Sequence, residues 1–181
     1  MDSSKTRRKF LQTAAAATPI LGAAAGASAA QSSPDLIRKE NEKPGTTDWQ
    51  LTRVRLDERG GYRNSDVEGY CSKQSVAAGE TLDFFVSTKL ENPFTLEIFR
   101  TGYYGGNGAR LMKTLGPIKG SPQPVPESTR GDKHLHECQW DPSLSLTIPE
   151  DWISGVYLGR LTTEDKTGEG YWQSYVVFIV R

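Results

Sequence analysis

The sequence predicts an all-β fold, an antiparallel sandwich of about seven or eight short strands, and three observations carry that expectation. Apolar and polar residues alternate with a period of two in one run after another. The runs are short and broken by turn formers, with 18 Gly and 10 Pro in 181 residues. Beyond the N-terminus, no long run shows the spacing of an amphipathic helix. A chain of this length can hold one domain with a real core. A closed barrel uses the same pattern and stays open at this point.

Residues 1–30 read as an address. They carry Lys5, Arg7, Arg8 and Lys9 against Asp2 alone, then a weakly apolar Ala/Gly-rich middle, then small residues before Gln31. That is the build of a signal peptide. Arg7-Arg8 followed by Phe10-Leu11 fits the twin-arginine type. The predicted product is exported, to the periplasm or outside the cell, with no membrane span left after cleavage. Without residues 1–30 the chain has 18 basic and 21 acidic residues, a net charge of −3. Nucleic acid is a poor partner for such a chain, because phosphate binding needs basic patches.

Residues 31–48 are polar and read as a linker, disordered or draped on the domain. The sandwich is placed at 49–181. Residues 49–56 (WQLTRVRL) form a candidate first strand, and 57–66 a turn-rich stretch. Residues 67–72 lead through Ser75-Val76 to a Gly79 corner. Leu82, Phe84 and Val86 then alternate with polar residues. The pattern Ser-Val-x-x-Gly-Glu-Thr-Leu-x-Phe recurs in immunoglobulin-like sandwiches, so the expected fold is of that kind. Phe94, Leu96 and Ile98 mark the next strand, and Ala109 to Leu115 its returning partner. Between them Thr101–Arg110 (TGYYGGNGAR) forms a Gly-dense tip, with Asn107-Gly108 as the turn signal. Residues 116–132 contain four prolines and read as an unpaired loop. A short strand is expected over 133–140, and another where Leu144, Leu146 and Ile148 alternate. The final hairpin pairs 156–162 with 171–180. Apolar residues on both of its faces place it in the middle of a sheet.

The chemistry-bearing residues are few. Cys71 and Cys138 are the only cysteines; in an exported chain they suggest one disulfide, the alternative being two free thiols. His134, His136 and Cys138 alternate along one strand, a spacing that metal ligands use, but a bridged Cys138 leaves no ligand set, and no metal is expected. Arg130-Gly131-Asp132 reads as a chance tripeptide in a polar loop. No catalytic motif is present: there is no nucleophile elbow, no metalloprotease helix and no phosphate-cradling loop. The tip is the best binding candidate. Tyr103, Tyr104 and Arg110 are the residue types found at interaction hot spots, and Trp140 joins them as an exposed aromatic. Packing of the tyrosines over the end of the sandwich is the competing reading.

Four stretches together carry a resemblance: VEGYCSKQSVAAGETLDFFVST, FRTGYYGGNGARLM, ECQWDPSLSLTIPEDWISGVYLGRLT and YWQSYVVFIVR. They resemble the N-terminal, sandwich-like region of bacterial proteins related to the large (beta) subunit of N,N-dimethylformamidase. The resemblance implies that a larger domain follows in the family and carries the iron site that hydrolyses the amide. The sequence ends at Arg181, where that domain would begin. No iron ligand is therefore carried over to any residue, and no cofactor is expected. The functional expectation is a non-catalytic exported accessory module, docking to a dimethylformamidase-like catalytic domain or subunit. The alternative is an extracytoplasmic module binding carbohydrate or another ligand. A component of an amidase acting on small N-substituted amides is the third reading.

Overall fold

Alternation in the sequence becomes alternation of burial in the strands. The computed structural model describes residues 34–60, 63–127, 136–165 and 170–181. Eight strands occur among them: β1 Val67–Cys71, β2 Ser75–Val76, β3 Thr81–Thr88, β4 Phe94–Thr101, β5 Ala109–Ile118, β6 Leu144–Thr147, β7 Gly155–Asp165 and β8 Gly170–Val180. They form two sheets, β1-β3-β6 and β2-β8-β7-β4-β5. Every pairing is antiparallel except that of the two-residue β2 with β8. Strand order and the parallel β2 match an immunoglobulin-type sandwich whose first strand divides between the sheets. The expected all-β sandwich is what forms, and the open question of a barrel is settled by two separate sheets.

The inner faces meet in one apolar core. Leu82, Phe84 and Val86 of β3 face Leu96 and Ile98 of β4, Tyr157 and Leu161 of β7, and Val176, Phe178 and Val180 of β8. All are almost fully buried, and the Phe84 and Phe178 rings meet edge to face at 5.8 Å. Gly69 lets β1 lie close to this layer: a Cβ there would stand 2.7 Å from the Phe85 carbonyl oxygen and 3.0 Å from Leu161. The β7–β8 hairpin pairs over its whole described length and sits at the middle of the larger sheet, as its sequence predicts.

Several local expectations are corrected. Residues 49–56 are not a strand. They run extended across the outer face of the larger sheet and bond mainly through side chains. Arg160 donates to the Asp48 carbonyl, Tyr175 donates to the Trp49 carbonyl, and the Thr52 N–H donates to Gln173 Oε1 at 2.9 Å. The single ladder-like bond is from the Gln173 N–H to the Arg53 carbonyl, 2.9 Å. The periodicity misleads because Arg53 and Arg55 turn inward to lie 4.4 and 5.8 Å from the Trp172 ring, leaving Val54 and Leu56 exposed.

Residues 136–140 are not a strand either; the facing prolines lack N–H donors, and the Trp140 indole instead donates to the Pro124 carbonyl at 2.8 Å. The tip is not an Asn-Gly two-residue turn. It spans seven residues, closed by the Gly102 N–H to the Gly108 carbonyl, with a 3-10 turn at Tyr104–Gly106. The polar segment before the sandwich is draped rather than loose, and it contains a helix, α1 Pro34–Asn41. No helix among the described residues is long and apolar enough to cross a membrane.

The predicted Cys71–Cys138 bridge is not formed, and both thiols are free. Neighbouring strand residues point to opposite faces. Cys71 follows Val67 and Gly69 inward, packs against the core, and burial pushes its thiol pKa up to about 12. Cys138 is exposed beside Tyr70 and Glu68, on the outer side of β1.

Candidate functional site

The predicted binding residues do not share one environment. Tyr103 is 71% exposed, whereas Tyr104 is 1% exposed and Trp140 is 8% exposed. The competing packing reading therefore holds for Tyr104, and Trp140 is corrected from an exposed aromatic to a buried one. Trp140 lies against Tyr70 (5.3 Å between ring centroids), which in turn stacks on Phe85 at 4.7 Å. Tyr70 and Trp140 wall a cleft of about 590 Å³ beside the Arg63–Glu68 ion pair, His136 and Cys138. His134 and the Arg130-Gly131-Asp132 tripeptide lie outside the described residues. Among the described residues no three His, Cys, Asp or Glu side chains are grouped to hold a metal ion.

At the tip, the buried side chains explain the exposed one. Tyr104 has a φ of +41°, in the left-handed region that ordinary residues rarely adopt. This backbone turn drives its ring inward, so that its neighbour Tyr103 faces solvent. Gly105 and Gly106 continue with φ of +67° and +92°. Nothing lies within 4 Å of where their Cβ atoms would stand, so the loop backbone is open to approach.

The cause of this packing is electrostatic. Arg100 of β4 and Arg110 of β5 lie opposite one another in register. Two like charges across a strand pair repel unless a counter-charge is supplied. Glu40, the penultimate residue of α1, supplies it and is 5% exposed. Its Oε1 accepts from Arg110 Nε at 2.7 Å and from the Tyr104 hydroxyl at 3.1 Å. Its Oε2 accepts from Lys43 Nζ at 2.6 Å. Arg100 in turn donates to the Tyr104 hydroxyl at 2.9 Å and to the Ser154 carbonyl at 2.9 Å. Burial pushes the Glu40 pKa upward, but the bonds from Lys43, Arg110 and Tyr104 outweigh it and hold the carboxyl below its ordinary value. Burial raises the Tyr104 hydroxyl. Asn41 completes the joint: its Oδ1 accepts from the Tyr103 N–H at 2.6 Å.

Sequence reasoning missed Glu40, Asn41 and Arg100. Glu40 and Asn41 sit in a polar run with no visible period, and Arg100 sits at a core-facing strand position where an apolar residue is expected. A signal was present only in Arg100 itself, a charged residue on the phase of Phe94, Leu96 and Ile98.

The second notable surface adjoins the tip. On the outer face of the larger sheet, Leu111 lies opposite Phe99, Phe99 opposite Leu158, and Leu158 opposite Val177. In the next row Val156 lies opposite Ile179. Phe99 is covered, with the Arg160 guanidinium 5.3 Å from its ring. Leu111, Val156, Val177 and Ile179 are 41–53% exposed. The strap formed by residues 46–53 covers only the neighbouring part of this face, so Val156, Val177 and Ile179 stay open around Leu158, with Leu111 on the far side of the covered Phe99.

Comparison with known proteins bears on this same region. No curated protein matches the chain. A family model described as N,N-dimethylformamidase beta subunit-like, C-terminal, matches residues 95–181. The family is the one the sequence resembles; the description names a C-terminal region, and the N-terminal placement drawn from the resemblance is not what it names. The match begins inside β4 and takes in the tip, the apolar rows and the β7–β8 hairpin. From β4 onward, this chain is similar to the N,N-dimethylformamidase beta subunit-like, C-terminal family.

Proposed function

We propose that this chain is an accessory interaction module of a dimethylformamidase-like assembly, carrying no chemistry of its own and acting outside the cytoplasm. The observation that carries the reading is the open apolar patch of Val156, Leu158, Val177 and Ile179. Contiguous exposed apolar patches on soluble proteins mark contact surfaces. This one lies wholly within the family-matched region and on a rigid sheet. The word subunit in the family's description supports a partner chain, of the catalytic kind. The carbohydrate-binding alternative draws less support, since of its three aromatics Tyr104 and Trp140 are buried and Tyr103 alone is exposed.

The test is co-elution of the purified chain with a dimethylformamidase-like catalytic chain on size-exclusion chromatography. Val177→Asp with Ile179→Asp should abolish the complex while leaving the thermal melt of the free domain nearly unchanged. A complex that survives both substitutions rejects the surface. The export half of the proposal rests on the Arg7-Arg8 address. Lysine at both positions should hold the precursor in the cytoplasm, and unchanged appearance of mature protein outside the cell would remove the twin-arginine assignment.

A further inference from the structure

The tip carries more cations than its own carboxylate neutralises. Glu40 is a single buried charge with Lys43 and Arg110 bonded to it directly and Arg100 through Tyr104. Beside this cluster a cleft of about 680 Å³ opens between α1 and the tip, with Tyr103, Arg38, Lys43 and Gly105 on its walls. Glu42 also lines it and offsets part of the positive charge. Arg38 and Lys43 keep 69% and 51% of their side chains exposed. Arg38 pairs with Asp35, but an exposed pair of this kind is weak and exchanges readily for another carboxylate.

The cleft extends toward the outer face of the larger sheet. A smaller hollow is lined by Lys43, Pro44, Arg110 and Leu111. Lys43 belongs to the tip cleft and Leu111 to the edge of the apolar rows, so the hollow joins the cationic cleft to the near side of that face. Resting on the interaction-module reading above, we infer that the tip cleft receives an acidic segment of the partner protein. Its carboxylates would meet Lys43 and Arg38, and its backbone would approach Gly105 beneath the exposed Tyr103 ring. Charge complementarity at a rim chiefly sets specificity and the rate of association.

The probe is a fluorescein-labelled Glu-rich decapeptide titrated into the whole chain, with Gln-substituted and Lys-substituted counterparts. Saturable binding of the acidic peptide is expected, weakening at least tenfold between about 50 and 300 mM salt as surface charges are screened. The Gln and Lys peptides should not bind. Arg38→Gln with Lys43→Gln should weaken binding at least tenfold. Because loss of Lys43 also touches the Glu40 cluster, Arg38→Gln alone and Tyr103→Ala are run beside it; each should weaken binding at an unchanged melting temperature. Equal binding of the Gln peptide, or no saturation with the acidic one, overturns the inference. Displacement of the peptide by free glutamate at matched carboxylate concentration would also overturn it, by pointing to a small-acid site instead. If peptide binding fails while co-elution with the catalytic chain persists, the cleft is wrong and the apolar patch stands; the opposite outcome removes the patch and keeps the cleft.

Discussion

Glu40 is the residue on which the N-terminal helix depends. Removing one partner of a buried ion pair leaves the other charges uncompensated. Glu40→Gln keeps the shape but leaves Arg100 and Arg110 facing each other, and it should cost about 2 kcal/mol, read as a lower denaturation midpoint. The pH dependence follows from the direction of the shift. The folded-state carboxyl titrates below its ordinary value of 4.5, so its contribution is complete above that pH and fades as the pH falls through the lower folded value. The gap in stability between the native chain and Glu40→Gln should therefore be widest near neutrality and should close on acidification below 4.5. A gap that stays constant down to pH 3 would show that the carboxylate's charge is not what holds α1.

At the scale of the element, the hairpin tip divides into one residue that packs and one that presents. Tyr104→Ala should cost about 3 kcal/mol or more, as truncation of a buried aromatic does, and Tyr103→Ala should shift stability by no more than about 0.5 kcal/mol. Thermal melts of the two single variants check this directly, and a large loss for Tyr103→Ala would contradict the exposed placement. The sequence could not assign the two roles. Adjacent tyrosines in a Gly-rich loop have no period, and only the positive φ at Tyr104 decides which ring turns inward. The strands were far more legible, because burial repeats every second residue along β3, β4 and β8, and the pattern survives into the structure. It failed at 49–56, where cation–aromatic contacts turn Arg53 and Arg55 onto Trp172 and leave Val54 and Leu56 outside. It failed again at the cysteines: spacing suggests a bridge, but it carries no information on which face of β1 each thiol occupies.

For the molecule as a whole, the family-matched region is not a self-sufficient fold. Residues 95–181 supply most of the larger sheet, whereas β1 and β3 of the smaller one precede them. Val67, Val76, Leu82, Phe84 and Val86 all come from the unmatched part and are fully buried. Each fully buried side chain of this kind is worth about 1.5–3 kcal/mol, a sum comparable to the entire stability of a domain. A fragment of residues 95–181 should therefore lack a cooperative melt and dispersed amide resonances, while residues 34–181 show both. A folded short fragment would mean that the larger sheet finds another cover.

The pairing of β2 with β8 has a kinetic consequence. Val76 lies beside Val180, and the Arg181 N–H donates to the Val76 carbonyl at 3.0 Å. The strand that closes one edge of the larger sheet thus waits for a partner made about a hundred residues later. Local hairpins such as β4–β5 can form while synthesis proceeds, but contacts of such long separation carry the loop-closure cost that slows β-rich domains. On the ribosome, the nascent chain cannot bury Phe84 and Val86 against β8 until β8 has left the exit tunnel. During that interval the apolar side of β3 is uncovered, and a chaperone that holds extended apolar segments would act on this stretch first.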